Sequence, residues 1–339
     1  MRLGAPLVFL AILLSPLLSQ TKTSPVLHVQ GPYLGQNPPG DTPNLFALGI
    51  VSTGLYERDL ALSPDGKELY YGVIVGNWAT IMTTRCVDGK WIEPTIAPFA
   101  SNRGANFLEP CVSHDGQRLF FLCTLPPSGE KPKPGWGHQN IWYVERLPDD
   151  SWSQPVDVGP PINSSAEEFF PSLTRDGTLY FTRSSGGSNP AIFRSRMVEG
   201  KYSTPEKLPF PVNGPWSIYN ACIAPDETFL IGCVAGKDST LPKNAARYQI
   251  SFRNSDGSWT ELVDMGERIN LPRGTALSPS ISPDGKYFFF SLSQSVAPSR
   301  LEELKGLTDI LEFVASPLNG AANIHWVSTQ VIEDLRTNH

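Results

Sequence analysis

Hydrophobic and polar positions recur in the same order five times along this chain. The stretch PSISPDGKYFFF (279–290) returns as LALSPDGKELYY (60–71), PCVSHDGQRLFF (110–121), PSLTRDGTLYF (171–181) and ACIAPDETFLIG (221–232). The turn aspartates Asp65, Asp115, Asp176, Asp226 and Asp284 stand 50, 61, 50 and 58 residues apart. Three residues before each comes a large aliphatic: Leu62, Val112, Leu173, Ile223 or Ile281. One residue further back is a small side chain: Ala61, Cys111, Ser172, Cys222 or Ser280. This period of two predicts a strand at the head of each copy. Asp-Gly then predicts a tight turn, since glycine accepts positive φ and aspartate hydrogen-bonds nearby backbone. Glu227 replaces that glycine in the fourth copy, which predicts a different turn there.

A second strand follows each turn: ELYYGV, RLFFLC, TLYFTR, FLIGCV and YFFFSL. A third reads TIMTTRC, NIWYVERL, AIFRSRMV, YQISFRN and NIHWVST. A fourth is marked by an aromatic and usually a proline three residues on, as in Trp91/Pro94, Trp152/Pro155 and Tyr202/Pro205. Proline is tolerated on edge strands, so this fourth strand belongs outermost. Four antiparallel strands per 50–60-residue repeat predict an all-β fold, a β-propeller with repeats near 50–100, 101–163, 164–213, 214–270 and 271–332. The last repeat lacks a fourth strand. Residues 42–59 align with 153–170, so Leu45–Ile50 is expected to complete blade five and close the ring. Five blades fit this count, with six as the alternative. The propeller then spans 42–332, preceded by an extension at 20–41 and followed by a tail at 333–339. An insertion at 299–314 has Leu301, Leu304, Leu307, Ile310, Leu311 and Val314 at helical spacing, which predicts an amphipathic helix packed on the rim.

The PSxSPDGKxLxF pattern resembles the WD40-like (PD40) repeats of TolB-type propellers over roughly residues 42–330. That resemblance implies a single propeller in an exported protein. It transfers no catalytic residue, because the repeated motif is structural. Only residues 20–41 separate leader from ring, so the separate N-terminal domain of TolB has no expected counterpart. The chain looks more like the stand-alone exported propellers of this class.

Export is also readable at the N-terminus. MRLGAPLVFLAILLSPLLSQ has one early arginine, an apolar run from Leu3 to Leu14 and small residues up to Ser19, the layout of a signal peptide over residues 1–19. The run is shorter than the ~20 residues of a bilayer span. The expected location is periplasmic or extracellular, as a monomer without a membrane span. The 339 residues carry a formal net charge of −6, which offers no basic field for nucleic acid. Five cysteines cannot all pair within one chain; Cys111 and Cys222 share their place with alanine and serine, which favours free buried thiols.

In such a ring the links from strand four to strand one, and from strand two to strand three, emerge on one face. The Asp-Gly turns emerge on the other. The first face is expected to gather Glu57, Arg58, Asp59, Asn106, Glu109, Glu167, Glu168, Tyr219, Asn220 and Thr275, ringed by Trp78, Trp136, His138, Arg183, Lys237 and Lys243. Carboxylates, an arginine and aromatics suit a polar or cationic ligand, a Ca²⁺ ion or a saccharide. The expected function is therefore a binding module for an envelope protein, glycan or small molecule. The alternative is a carbohydrate-active hydrolase or lyase using two of these carboxylates. The five histidines are scattered, and no HExxH or GxSxG motif occurs.

Overall fold

A computed structural model of the chain describes residues 26–242 and 245–337. The leader at 1–19, the first part of the extension, and Lys243 lie outside the described residues.

Five antiparallel sheets form the five blades of a propeller. Blade one runs Tyr56–Leu62, Glu68–Val75, Trp78–Val87 and Thr95–Ile96 from the axis outward. Blade two has Phe107–Val112, Arg118–Cys123, Asn140–Glu145 and Val156–Asp157. Blade three has Glu167–Leu173, Leu179–Ser184, Ala191–Ser195 and Glu206–Lys207. Blade four has Ser217–Ile223, Phe229–Ala235, Ala246–Phe252 and Val263–Asp264. Blade five has Gly274–Ile281, Tyr287–Gln294 and Ala322–Ser328, and its outer strand is Asn44–Leu45 from the chain's beginning.

The ring closes as expected, though the closing strand is shorter than Leu45–Ile50. Phe46 locks it: its ring is buried edge-on to Phe289 and Trp326, with centroids 5.1 and 5.2 Å away. Each blade interface holds its own apolar cluster, because a sheet buried on both faces must pack both faces. The extension contributes a second fastening: Val26–Gln30 pairs with Lys90–Ile92 at the outside of blade one. The N-terminal segment therefore crosses from blade one to blade five and holds the seam twice.

Three expectations need correction. The aromatic before each proline lies in a short hairpin with the end of strand three, as Trp91 opposite Cys86 and Tyr202 opposite Met197 do; the outer strand comes after the proline. Glu227 keeps the repeated turn rather than changing it: its φ is 59°, like the 69–84° of Gly66, Gly116, Gly177 and Gly285. Tyr180 donates to its carboxylate at 2.6 Å and Arg253 pairs with it, which offsets the strain of that conformation. The insertion folds as two helices, α1 (Pro298–Glu302) and α2 (Leu307–Ala315), and the apolar face of α2 is exposed rather than packed on the rim. The chain ends in α3 (Gln330–Thr337), which tucks Val331 and Ile332 against blades four and five.

Candidate functional site

Each innermost strand carries a bulge at the same place. The pairing slips between Arg58 and Ala61, Leu108 and Cys111, Phe169 and Ser172, Tyr219 and Cys222, and Ala276 and Ser278. In four blades the bulged residue has a left-handed backbone: Asp59 (61°), Glu109 (60°), Phe170 (54°) and Asn220 (49°). Asparagine and aspartate tolerate that region, whereas glutamate and phenylalanine are strained there by roughly 1–2 kcal/mol. The bulge re-aims these side chains toward the axis.

They meet in a hydrogen-bonded belt that touches all five blades. The Phe170 N–H of blade three donates to Glu109 Oε2 at 2.7 Å. Arg58 of blade one donates to Glu109 Oε1 at 3.2 Å and to both Asp59 oxygens at 2.8 Å. The Ser278 hydroxyl of blade five donates to Asp59, and the Asn220 amide of blade four donates to Leu277 O at 2.5 Å. Burial pulls the Arg58 guanidinium down, but Asp59 and Glu109 outweigh it and leave it firmly charged. Burial raises the Glu109 carboxyl well above the ordinary range; Arg58 opposes that shift and Asp59 reinforces it. One arginine faces two buried carboxylates, so Glu109 takes up a proton more readily than an ordinary carboxyl.

Beneath the belt lies an axial cavity of about 100 Å³, with Asp59, Glu109 and Phe170 at its inner end. Its wall is the repeated small ring, Ala61, Cys111, Ser172, Cys222 and Ser280, followed by the aliphatic ring Leu62, Val112, Leu173, Ile223 and Ile281. Its mouth, at Pro64, His114, Pro225 and Pro283, faces the Asp-Gly turns. The small ring also stitches neighbouring blades. The Ser172 hydroxyl accepts the Ile223 N–H at 3.0 Å, and the Cys111 and Cys222 sulphurs face the Leu173 and Ile281 N–H groups. Burial pushes both thiols up to about 12, so neither is a nucleophile at neutral pH.

The structure thus brings Arg58, Asp59, Glu109, Tyr219 and Asn220 together, with Tyr56 and Cys233 close enough to feel the same charges. The other sequence candidates lie apart from this cluster, most of them bonded within their own loops and blades. Glu57 is buried and accepts the Thr53 N–H at 3.1 Å, the Thr53 hydroxyl, and the Asn323 amide at 3.0 Å. Glu168 repeats this with the Ser164 N–H at 3.1 Å and hydroxyl at 2.5 Å, and adds Arg183 at 2.7 Å. Both carboxylates pin the loop four residues before them. Asn106 accepts the Ala79 N–H at 2.8 Å. His138 donates to Lys131 O at 2.9 Å within its own loop, which leaves Trp136 at the loop's surface. Lys237 donates to Leu262 O at 2.8 Å beneath the Trp216 ring, and Arg103 stacks on Trp78. Glu167 is exposed, and Thr275 sits in the pairing with Ser293.

Three further asparagines escape a reading that follows the turn motif alone. Asn163, Asn213 and Asn270 each accept an N–H and return their amide to the same residue's carbonyl, at Ile141, Ile192 and Tyr248. They stand 13 or 14 residues ahead of the turn aspartate, a spacing that was available as a signal. Among the described residues no group of three or more His, Cys, Asp or Glu side chains is gathered for a metal ion. The Arg58 guanidinium fills the space between the two axial carboxylates where a Ca²⁺ would sit.

The chain is similar to TolB from Acinetobacter baumannii, at 16% identity and a TM-score of 0.46. The putative TolB from Agrobacterium tumefaciens is 14% identical at 0.45, covering 71% of this chain and 72% of its own. The match to the Acinetobacter protein covers 80% of this chain but only 57% of that one. An α-L-arabinofuranosidase from Podospora anserina is 10% identical at 0.47, covering 86% of this chain and 94% of its own. These likenesses concern fold alone, which the five sheets establish without them. No protein-family profile and no curated protein matches the chain. Among the described residues no helix is long and apolar enough to cross a membrane.

Proposed function

We propose that the chain is an exported binding module that docks a partner protein through α2, rather than a glycoside hydrolase or lyase. Export rests on the leader and the repeat resemblance. The observation that carries the docking is the bare apolar face of α2, where Leu307, Ile310, Leu311 and Val314 are 72%, 46%, 60% and 55% exposed. Leu55 and Leu318 extend it, because Asn319 ties Gly54 O and Val314 O together at 2.9 and 2.8 Å. Burying one such side chain fully is worth about 1.5–3 kcal/mol, so leaving this set in water favours association strongly.

Charge selects the occupant. Residues 298–315 carry Glu302, Glu303, Asp309 and Glu312 against Arg300 and Lys305. A second copy or an anionic membrane would set like charges together; an apolar ridge flanked by Lys or Arg would not. Hydrolysis is disfavoured because Glu57, Glu109 and Glu168 are each buried and bonded internally, and Asp59, which shares a cavity with Glu109, is itself held by Arg58 and Ser278.

A photoreactive side chain at Ile310, introduced in intact cells, tests this. The expected result is one dominant protein adduct whose cross-linked segment is apolar and basic, weakened by salt and abolished by Leu311→Asp with the fold retained. Homodimeric or lipid adducts would sink the reading. Turnover of any glycan that Glu109→Gln abolishes would establish the enzyme instead.

A further inference from the structure

Among the described residues, four of the five seams between blades carry a plug of aromatic and charged side chains on the Asp-Gly face. At the seam of blades one and two, Arg146 lies 3.8 Å from the Trp152 ring and donates across to Glu68 at 3.1 Å, while Trp152 donates to the Tyr70 hydroxyl at 2.8 Å. Arg253, Trp259, Glu227 and Tyr180 repeat this set between blades three and four. α3 covers the seam of blades four and five, with Arg336 over the Phe252 ring at 5.0 Å. Tyr33 of the extension covers the closing seam, 5.0 Å from the Tyr287 ring and 5.7 Å from the Trp326 ring.

Between blades two and three the set is rewritten. Met197 pairs with Tyr202 where Arg146 pairs with Trp152, Phe120 stands for Tyr70, and Arg118 heads the second strand where Glu68 does. His114 crosses this seam at its axial end, bonding Leu173 O at 3.0 Å. Outside that contact lies a groove of about 570 Å³, and small-molecule pockets run from about 300 to 1,000 Å³. Phe120, Leu173, Met197 and Tyr202 give it an apolar side. Its carboxylates are engaged: Asp115 by the Ser113 hydroxyl and the Gln117 N–H, Asp176 by the Thr174 hydroxyl and the Thr178 N–H, and Glu145 by Arg118. The groups left free are donors. The Tyr202 hydroxyl has no hydrogen-bond partner, and its oxygen is not one of the sealed polar atoms. Burial raises this phenol and outweighs neighbouring Arg118, so it keeps its proton to donate. Arg175 is exposed at the rim and forms no ion pair. Arg118 meets Glu145 through Nε and one terminal nitrogen, which leaves the other terminal nitrogen free.

We propose that this groove binds a small organic acid, its carboxylate held by Tyr202, Arg118 and Arg175 and its aromatic or aliphatic body laid on Phe120, Leu173 and Met197. Guanidinium and phenol donors select an anion, because charge-assisted hydrogen bonds are the strong ones. Inorganic phosphate would leave the apolar side in water, and an amine would face two arginines. The guest completes, with the charge inverted, the plug that the other seams draw from their own chain. α2 lies in a link on the opposite face, so the site stands independently of the docking proposed there.

Calorimetry and thermal unfolding of the intact protein with 3-phenylpropionate test the site, against 3-phenylpropanol, phenethylammonium and inorganic phosphate at matched ionic strength. Saturable binding and a raised midpoint are expected for the carboxylate alone. Tyr202→Phe and Arg175→Gln remove groups that form no hydrogen bond or ion pair in the free protein. Each should weaken binding at least tenfold and leave the unliganded midpoint unchanged, which a structural role would move. Arg118→Glu with Met197→Arg copies the Glu68–Arg146 pair into this seam, and should abolish binding in a protein that unfolds no earlier than wild type. Equal effects of phenylpropanol or of phosphate would overturn the proposal. So would binding that survives the double variant, or that neither Tyr202→Phe nor Arg175→Gln weakens.

Discussion

Replacing Arg58 with methionine should cut the belt at its centre. The guanidinium contacts Asp59 at 2.8 Å and Glu109 at 3.2 Å, and all three side chains are largely shielded from water. Methionine matches the stem's length but leaves buried Asp59 and Glu109 without their cationic partner. Removing one partner of a buried pair typically costs about 3–5 kcal/mol, mostly as the penalty on the charge left behind. For a domain of this size about 1 kcal/mol moves the midpoint by about 2 °C, so a fall of roughly 6–10 °C is expected. The reasoning makes a sharper demand on combinations. Arg58→Met with Asp59→Asn and Glu109→Gln carries no stranded charge, and should recover at least half of the single variant's loss. Acidification should also shrink the single variant's deficit, because protonated carboxyls need no counter-ion. Urea unfolding of wild type, single and triple variants at pH 5.5 and 8 reads all of this. A loss below about 1 kcal/mol, or a triple variant no better than the single, would refute the view that charge compensation holds the belt.

Asn213→Ala removes bonds of 2.8, 2.9 and 2.7 Å to Ile192 N, Ile192 O and Leu208 O, and should cost about 2–4 kcal/mol in chemical denaturation because those backbone groups stay buried. Phe46→Ala should cost about 3–5 kcal/mol, opening the seam between the first and last blades so that limited proteolysis cuts first near residues 44–50. Stability should be highest between roughly pH 4.5 and 6.5. Burial raises Glu57 to about 7, so its contribution is complete below its unfolded value and is lost as pH climbs through 7; the alkaline limb flattens in Glu57→Gln. Burial lowers His325 to about 4, so its contribution is present above its unfolded value and is lost as pH falls through 4. Cys111 and Cys222 should resist iodoacetamide at pH 8 in the folded protein and react fully once urea unfolds it; native alkylation at the rate of a free thiol would contradict the raised thiols of half-buried Cys111 and buried Cys222.

Strand, turn and blade count were legible in the chain because they rest on local rules repeated five times. Alternation sets which face of a strand is buried, Asp-Gly sets the turn, and the aligned segment at 42–59 already held the strand that blade five lacks. Five of the candidate residues, Arg58, Asp59, Glu109, Tyr219 and Asn220, were also readable, since the residues ahead of each first strand must converge in a ring. What they do there was not. Whether a buried carboxylate is a ligand or a brace depends on which donors reach it, and those come from other blades or from the loop's fold, as Asn323 does for Glu57 and Arg183 for Glu168. Helical spacing in the insertion gave amphipathicity, but whether that face meets the ring or the solvent is a tertiary outcome. The Glu227 turn likewise kept its shape because Tyr180 and Arg253, 47 and 26 residues away, hold the side chain. Local sequence determined the blades, because period and turn chemistry act between neighbours. The tertiary structure alone decided the axis, because charge compensation and burial act between residues that the chain brings together only when the ring closes.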